Sequence, residues 1–145
     1  MTALQQYCTF TLDGFLVGVE VSRVQEIIRF QEMTPVPLAH RVVRGLINLR
    51  GQIVTALDLR RRLDLAERGD DAQPTNVVVR TDDGAVAFLV DEIGDVVEVD
   101  DTSFERPPET LRGVARHLIT GAHKLSDRLL LVLDAERAAS LRDEN

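Results

Sequence analysis

The stretch 43–63, VRGLINLRGQIVTALDLRRRL, constrains the fold more than any other part of the chain. Apolar and polar residues alternate on both sides of Arg50-Gly51. The stretch therefore reads as a strand over 45–49, a two-residue turn and a second strand over 52–57. Gly51 takes φ > 0 at no steric cost, which a two-residue hairpin connection requires. Arg50 then stands at a hairpin tip, held out to solvent by its flanking strands, and such tips are common binding positions. A short arginine-rich helix opens near Asp58, whose carboxylate is placed to cap it.

The rest of the chain repeats this style of punctuation. Residues 7–12 alternate as a strand, Asp13-Gly14 turns, and 15–21 returns; later, 77–81, the Asp82-Asp83-Gly84 turn and 85–90 do the same. Gly14 and Gly84 lie 70 residues apart, 21–27 resembles 90–96 at an offset of 69, and 53–63 parallels 129–139 at an offset of 76. Asp134 repeats Asp58 as a helix cap after an apolar strand. Many short strands with turn signals and few helical patterns predict small barrels rather than a parallel sheet. The reading is one domain over 1–145, with approximate halves 6–65 and 76–142 joined by the polar linker 66–75. Strand exchange between the halves is left open.

A chain of 145 residues suits one domain that buries roughly two-thirds of its unfolded surface. No apolar run approaches the ~20 residues of a membrane span, and MTALQQYCTF has neither the basic start nor the apolar core of a signal peptide. The lone Cys8 forms no internal disulfide and suits a reducing cytoplasm; its place in an alternating strand makes it a buried apolar residue. A net charge of −7 argues against nucleic-acid and anionic-membrane binding, and so does the scarcity of aromatics that stack on bases. Six arginines fall within 41–62 with Asp58 the only acid among them, while 91–105 holds seven acids and no base. These read mainly as two solvated faces whose polarity helps orient a partner.

Little in the sequence points to catalysis. His40, His117 and His123 have no zinc-type spacing with one another or with Cys8, and no phosphate-binding or nucleophile-elbow motif occurs. The expectation is a non-enzyme with no catalytic residue, metal or cofactor.

Asn48-Leu49-Arg50-Gly51, Ile53-Val54 and Asp58-Leu59-Arg60 resemble the signature of the CheW family of chemotaxis coupling proteins. Val24-Gln25-Glu26-Ile27 is similar to that family's VQEI segment, and Leu118-Ile119-Thr120-Gly121 to its YLTG segment, with His117-Leu118-Ile119 in place of the usual aromatic. The family's proline after Ile-Val is absent here, where Thr55 stands. The resemblance runs from about Gln6 to Leu141. It implies a mainly β fold of two SH3-like five-stranded barrel subdomains with short helices. It implies an adaptor that is cytoplasmic, recruited to membrane receptor arrays without inserting in the membrane. Its partners would be the helical-hairpin tip of a methyl-accepting chemoreceptor and the regulatory domain of a CheA-type histidine kinase. An interaction module of another kinase pathway is the alternative. Arg50, Glu26, Val24, Asn48 and Leu49 match positions at the receptor and kinase contacts. Gly45, Gly51 and Gly121 match glycines read as structural turn residues.

Overall fold

The computed structural model describes residues 4–69 and 73–141. Among them the chain is mainly β, with eleven strands and three short helices. The strands are β1 (Leu4–Leu12), β2 (Phe15–Glu20), β3 (Val24–Ile28), β4 (Val43–Leu49), β5 (Gln52–Asp58), β6 (Thr75–Thr81), β7 (Gly84–Val90), β8 (Glu92–Asp100), β9 (Phe104–Glu105), β10 (Ile119–Lys124) and β11 (Leu129–Leu133). The helices are α1 (Leu59–Arg62), α2 (Val114–Leu118) and α3 (Ala135–Ala139).

Two sheets result. The larger has the order β8-β1-β2-β11-β10-β9 and the smaller β3-β6-β7-β5-β4. Neither order closes on itself, and the two-residue β9 makes the larger sheet six-stranded where five were expected. The SH3-like two-subdomain plan is nevertheless present. The sequence halves 6–65 and 76–142 do not coincide with the sheets. The β1–β2 hairpin joins β8–β11, and the β6–β7 hairpin joins β3–β5. Each sheet is thus completed by strands from the other half of the chain.

The repeat at offset 76 has a structural counterpart. β5 runs parallel to β7 (Thr55 opposite Val86) and β11 parallel to β2 (Leu130 opposite Leu16). The Asp58 amide donates to Val42 O and the Asp134 amide to Leu118 O, each at 2.8 Å. The Asp58 carboxylate accepts from Arg60 N at 3.0 Å and caps α1; Asp134 accepts from Arg137 N at 3.0 Å and caps α3. The turn after β2 is a 3-10 turn over Val21–Arg23 with no side-chain cap.

Alternation along the strands sorts the apolar side chains into three cores. Ile47, Leu49, Val54, Ala56, Val78 and Ala87 pack within the smaller sheet, and Tyr7, Leu16, Val99, Leu130 and Val132 within the larger. Between the sheets lies the largest core, with Phe10, Leu12, Val19, Leu57, Phe88 and Leu118 among its residues. Phe10 and Phe88 are fully buried, and truncating either to alanine is worth about 3–5 kcal/mol.

His123 occupies the position in β10 that Ile47 occupies in β4, and both are 1 % exposed. Its Nδ1 lies 2.7 Å from Ser103 Oγ, and its ring packs against Tyr7 and Phe104. Burial holds the His123 pKa below the ordinary imidazole value, against a smaller pull upward from Asp101. The unfolded chain therefore takes up a proton first as pH falls, and stability declines from just above pH ~6.5 until the folded-state pKa is passed. Thermal melts between pH 7.5 and 5 are expected to show this slope, and His123→Ile should remove that part of it. An unchanged slope in the variant would assign it to other groups.

Candidate functional site

The β4–β5 tip is a tight turn with positive φ at both central residues, +52° at Arg50 and +89° at Gly51. This is the type I′ geometry that matches the twist of a hairpin. Asn48 Oδ1 accepts from the Gly51 amide at 2.8 Å and pins the turn. The Arg50 side chain is exposed, but it does not stand free: its Nη2 donates to Glu26 Oε2. β3 and β4 are opposite edges of the smaller sheet, so this ion pair joins the two edges through side chains. Hydrogen bonding from Arg50 holds the Glu26 carboxyl below its ordinary range.

The remaining motif residues divide between surface and core. Asn48 is exposed, with its carbonyl oxygen committed to the turn. Leu49 is buried in the core of the smaller sheet and offers no contact surface, contrary to its reading as a partner contact. The alternation of the strand is the reason: Asn48 faces out, so Leu49 faces in. Val24 is partly buried against the largest core. Exposed apolar groups instead come from Ile27, next to Glu26, and from Ile53, directly opposite Asn48. The outward phase of Ile53 and Thr55 carried that signal in the sequence.

Only Gly51 among the three selected glycines is a turn residue. Gly45 lies within β4 at a register shift with φ +155°, where a Cβ would stand 2.7 Å from Thr34 O. Gly121 lies within β10, also at a register shift, where a Cβ would meet Glu105 O at 2.5 Å and the ring of Phe104. Both are needed because a crossing segment passes close over the strand. Thr34 and Leu46 exchange two 2.9 Å hydrogen bonds beside Gly45, and Glu105 pairs with Ala122 beside Gly121.

The two charge clusters touch at Asp91, while Glu92, Asp95, Glu98, Asp101 and Glu105 stay exposed as solvated residues. Arg60 Nη2 lies 2.6 Å from Asp91 Oδ2, Arg68 Nε 3.0 Å from Asp91 Oδ1, and Arg68 Nη1 2.9 Å from Asp58 Oδ1. The Asp13 amide adds a 2.8 Å bond to Asp91. Burial pushes the Asp91 carboxyl up, but bonds from Arg60 and the Asp13 amide, with the charges of Arg60 and Arg68, bring it below the ordinary range. Arg62 is buried and donates to the carbonyls of Arg137, Ala138 and Ser140 at the end of α3. Sequence patterning could not place these pairs, because the partners lie 10–78 residues apart.

Among the described residues, no group of three histidine, cysteine or acidic side chains is arranged to hold a metal. No helix among them is long and apolar enough to cross a membrane. The fold and the motif positions define a two-lobed β-protein with an exposed hairpin tip where Arg50 pairs with Glu26. Residues 6–142 match the CheW-like domain, and the chain belongs to the CheW-like family. The chemotaxis protein CheW of Bacillus subtilis is 30% identical over 131 residues, covering 90% of this chain and 84% of that one. The chemotaxis proteins CheW of Treponema pallidum (29% over 142 residues; 95% and 84%) and Klebsiella aerogenes (30% over 141; 96% and 84%) are similar at the same level. The crystal structure of the scaffolding protein TtCheW from Thermoanaerobacter tengcongensis shares the fold, with a TM-score of 0.86 at 23% identity, covering 97% of this chain and 95% of that one.

Proposed function

We propose that this chain is a non-enzymatic adaptor that couples the cytoplasmic tips of chemoreceptors to a CheA-type histidine kinase. It acts in the cytoplasm and is recruited to receptor arrays at the membrane. The observation that carries the reading is the Arg50–Glu26 pair. It joins the hairpin tip to the β3 segment, distant in sequence, and β3 and β5 also carry the exposed Ile27 and Ile53. A receptor tip is a helical hairpin, whose apolar stripe suits such exposed aliphatics while polar helix positions meet the charged rim. The kinase's regulatory domain has the same two-lobed plan, so lobe-to-lobe pairing offers a second, separate contact. An adaptor of this kind biases the kinase by contacting its states differently, without chemistry of its own.

The test is reconstitution with receptor-bearing membranes and a CheA-type kinase. The chain is expected to sediment with the membranes, to carry the kinase with it, and to change the rate of kinase autophosphorylation. Recovery of neither partner, with the kinase rate unchanged, would rule this reading out.

A further inference from the structure

β3 is the edge of the smaller sheet that carries Glu26, and β6 is its only neighbour in that sheet. Little in the apolar pattern fixes how these two strands align. β6 presents Val77, Val78 and Val79, all fully buried, while four of the five β3 residues are half-buried and only Ile27 is exposed. A strand of this kind specifies its register weakly. Val24 pairs with Val79, a register shift follows at Gln25, and Glu26, Ile27 and Ile28 then pair with Val78, Val77 and Asn76. In an unshifted ladder, Glu26 would pair with Val77 and Ile27 with Asn76. Such a one-residue slip turns each side chain to the other face of the sheet, so Glu26 would leave Arg50.

Asn76 distinguishes the two alignments. It is fully buried, and its Nδ2 donates to Arg29 O at 3.3 Å, just past the end of β3. Its Oδ1 is the one buried side-chain nitrogen or oxygen among the described residues with no hydrogen-bond partner. A buried acceptor left unpaired costs stability, so an apolar residue of similar size would be at least as stable here. In the slipped ladder Arg29 O lies one residue further on, and the whole amide is unpaired. We infer that Asn76 is a positioning residue that holds β3 in the bulged register and thereby sets Glu26 against Arg50. Buried polar groups fix register in coiled coils at a similar cost in stability. This placement of Glu26 stands on the fold alone; only its consequence for assembly rests on the adaptor reading.

Asn76→Leu, which keeps the size of the side chain and removes its polar atoms, is the test, with Asn76→Val beside it. Both are expected to unfold in urea at the parent midpoint or above it, because the unpaired oxygen is gone. The Glu26 carboxyl, followed by carbon-13 NMR across pH, is expected to titrate higher in both, back toward the ordinary carboxylate range, since Arg50 no longer holds it down. Hydrogen exchange of the β3 amides should quicken on the order of tenfold or more. Deleting Gln25 from Asn76→Leu removes the spare residue, so that an unbulged ladder itself pairs Glu26 with Val78, and the low titration of Glu26 is expected to return. An unchanged Glu26 titration in both point variants, a large loss of stability in both, or no return on deleting Gln25 would overturn the assignment. Co-sedimentation of Asn76→Leu with receptor membranes and kinase separates the two readings. A shifted Glu26 with weakened assembly supports both, while a shifted Glu26 with undiminished assembly supports the register pin and removes Glu26 from the partner contact.

Discussion

Arg50→Glu is expected to leave the protein folded and to lower its affinity for the receptor–kinase assembly on the order of tenfold or more, the scale of an arginine at the centre of a contact. The Arg50 side chain is exposed, and its backbone keeps the same turn with either residue, so nothing in the cores must rearrange. What changes is the tip: a glutamate there faces Glu26, and two like charges replace a pair. The reciprocal exchange, Arg50→Glu with Glu26→Arg, rebuilds an ion pair between the same edges of the sheet. If a partner reads the cation at the tip itself, the exchanged protein melts like the parent but still assembles poorly. Co-sedimentation with receptor membranes and kinase, alongside thermal melts, measures both properties. Full recovery in the exchanged protein would reduce Arg50 to a brace for the surface, and undiminished assembly of Arg50→Glu would remove the tip from the contact altogether.

The second large effect is on stability. In Gly45→Ala the new methyl group collides with Thr34 O and Met33 Cβ, at 2.7 and 2.9 Å, and the backbone must also hold φ +155°. Thr34 cannot retreat without breaking its two hydrogen bonds to Leu46. A cost of about 2–4 kcal/mol is expected, as for other substitutions that combine overpacking with backbone strain. Gly51→Ala is the control, since nothing lies within 4 Å of its added carbon and only φ +89° is unfavourable. Its cost should stay near 1–2 kcal/mol, roughly that of a single left-handed residue. Urea unfolding of the two variants makes the comparison. Equal losses would mean that the crossing segment over β4 is not held in place.

These two positions also show what the sequence could and could not reveal. Arg50-Gly51 was legible because a turn is local: the alternation on either side and the glycine sit within ten residues. Asp58 and Asp134 were legible as caps for the same reason. Gly45 and Gly121 resembled turn glycines, but their role depends on Thr34 and Glu105 passing overhead, and no local pattern encodes a close approach. Leu49 is a different kind of miss. The alternation in its own strand already turned it inward, and membership of a recognised motif outweighed that pattern. The Arg60–Asp91 pair joins residues 31 apart and was hidden because net charge along a segment says nothing about which side chains fold against each other. The interleaving of the sheets was hidden by the same lack of long-range information, although the internal repeat hinted at two equivalent units.

That interleaving has a consequence for how the protein comes into being. As the chain leaves the ribosome, the β1–β2 hairpin emerges before the other described strands, but its neighbours β8 and β11 are the eighth and the last of them. An isolated two-stranded hairpin is marginal in water, so Phe10, Leu12, Val17 and Val19 must wait with their apolar faces uncovered. The smaller sheet can close once Val90 is out, yet the largest core stays open until Ala138 arrives. Pairings this distant in sequence make folding slow compared with helical proteins of the same size. The nascent chain thus passes through a long interval in which its first half is made but not protected, and chaperone protection matters most during that interval.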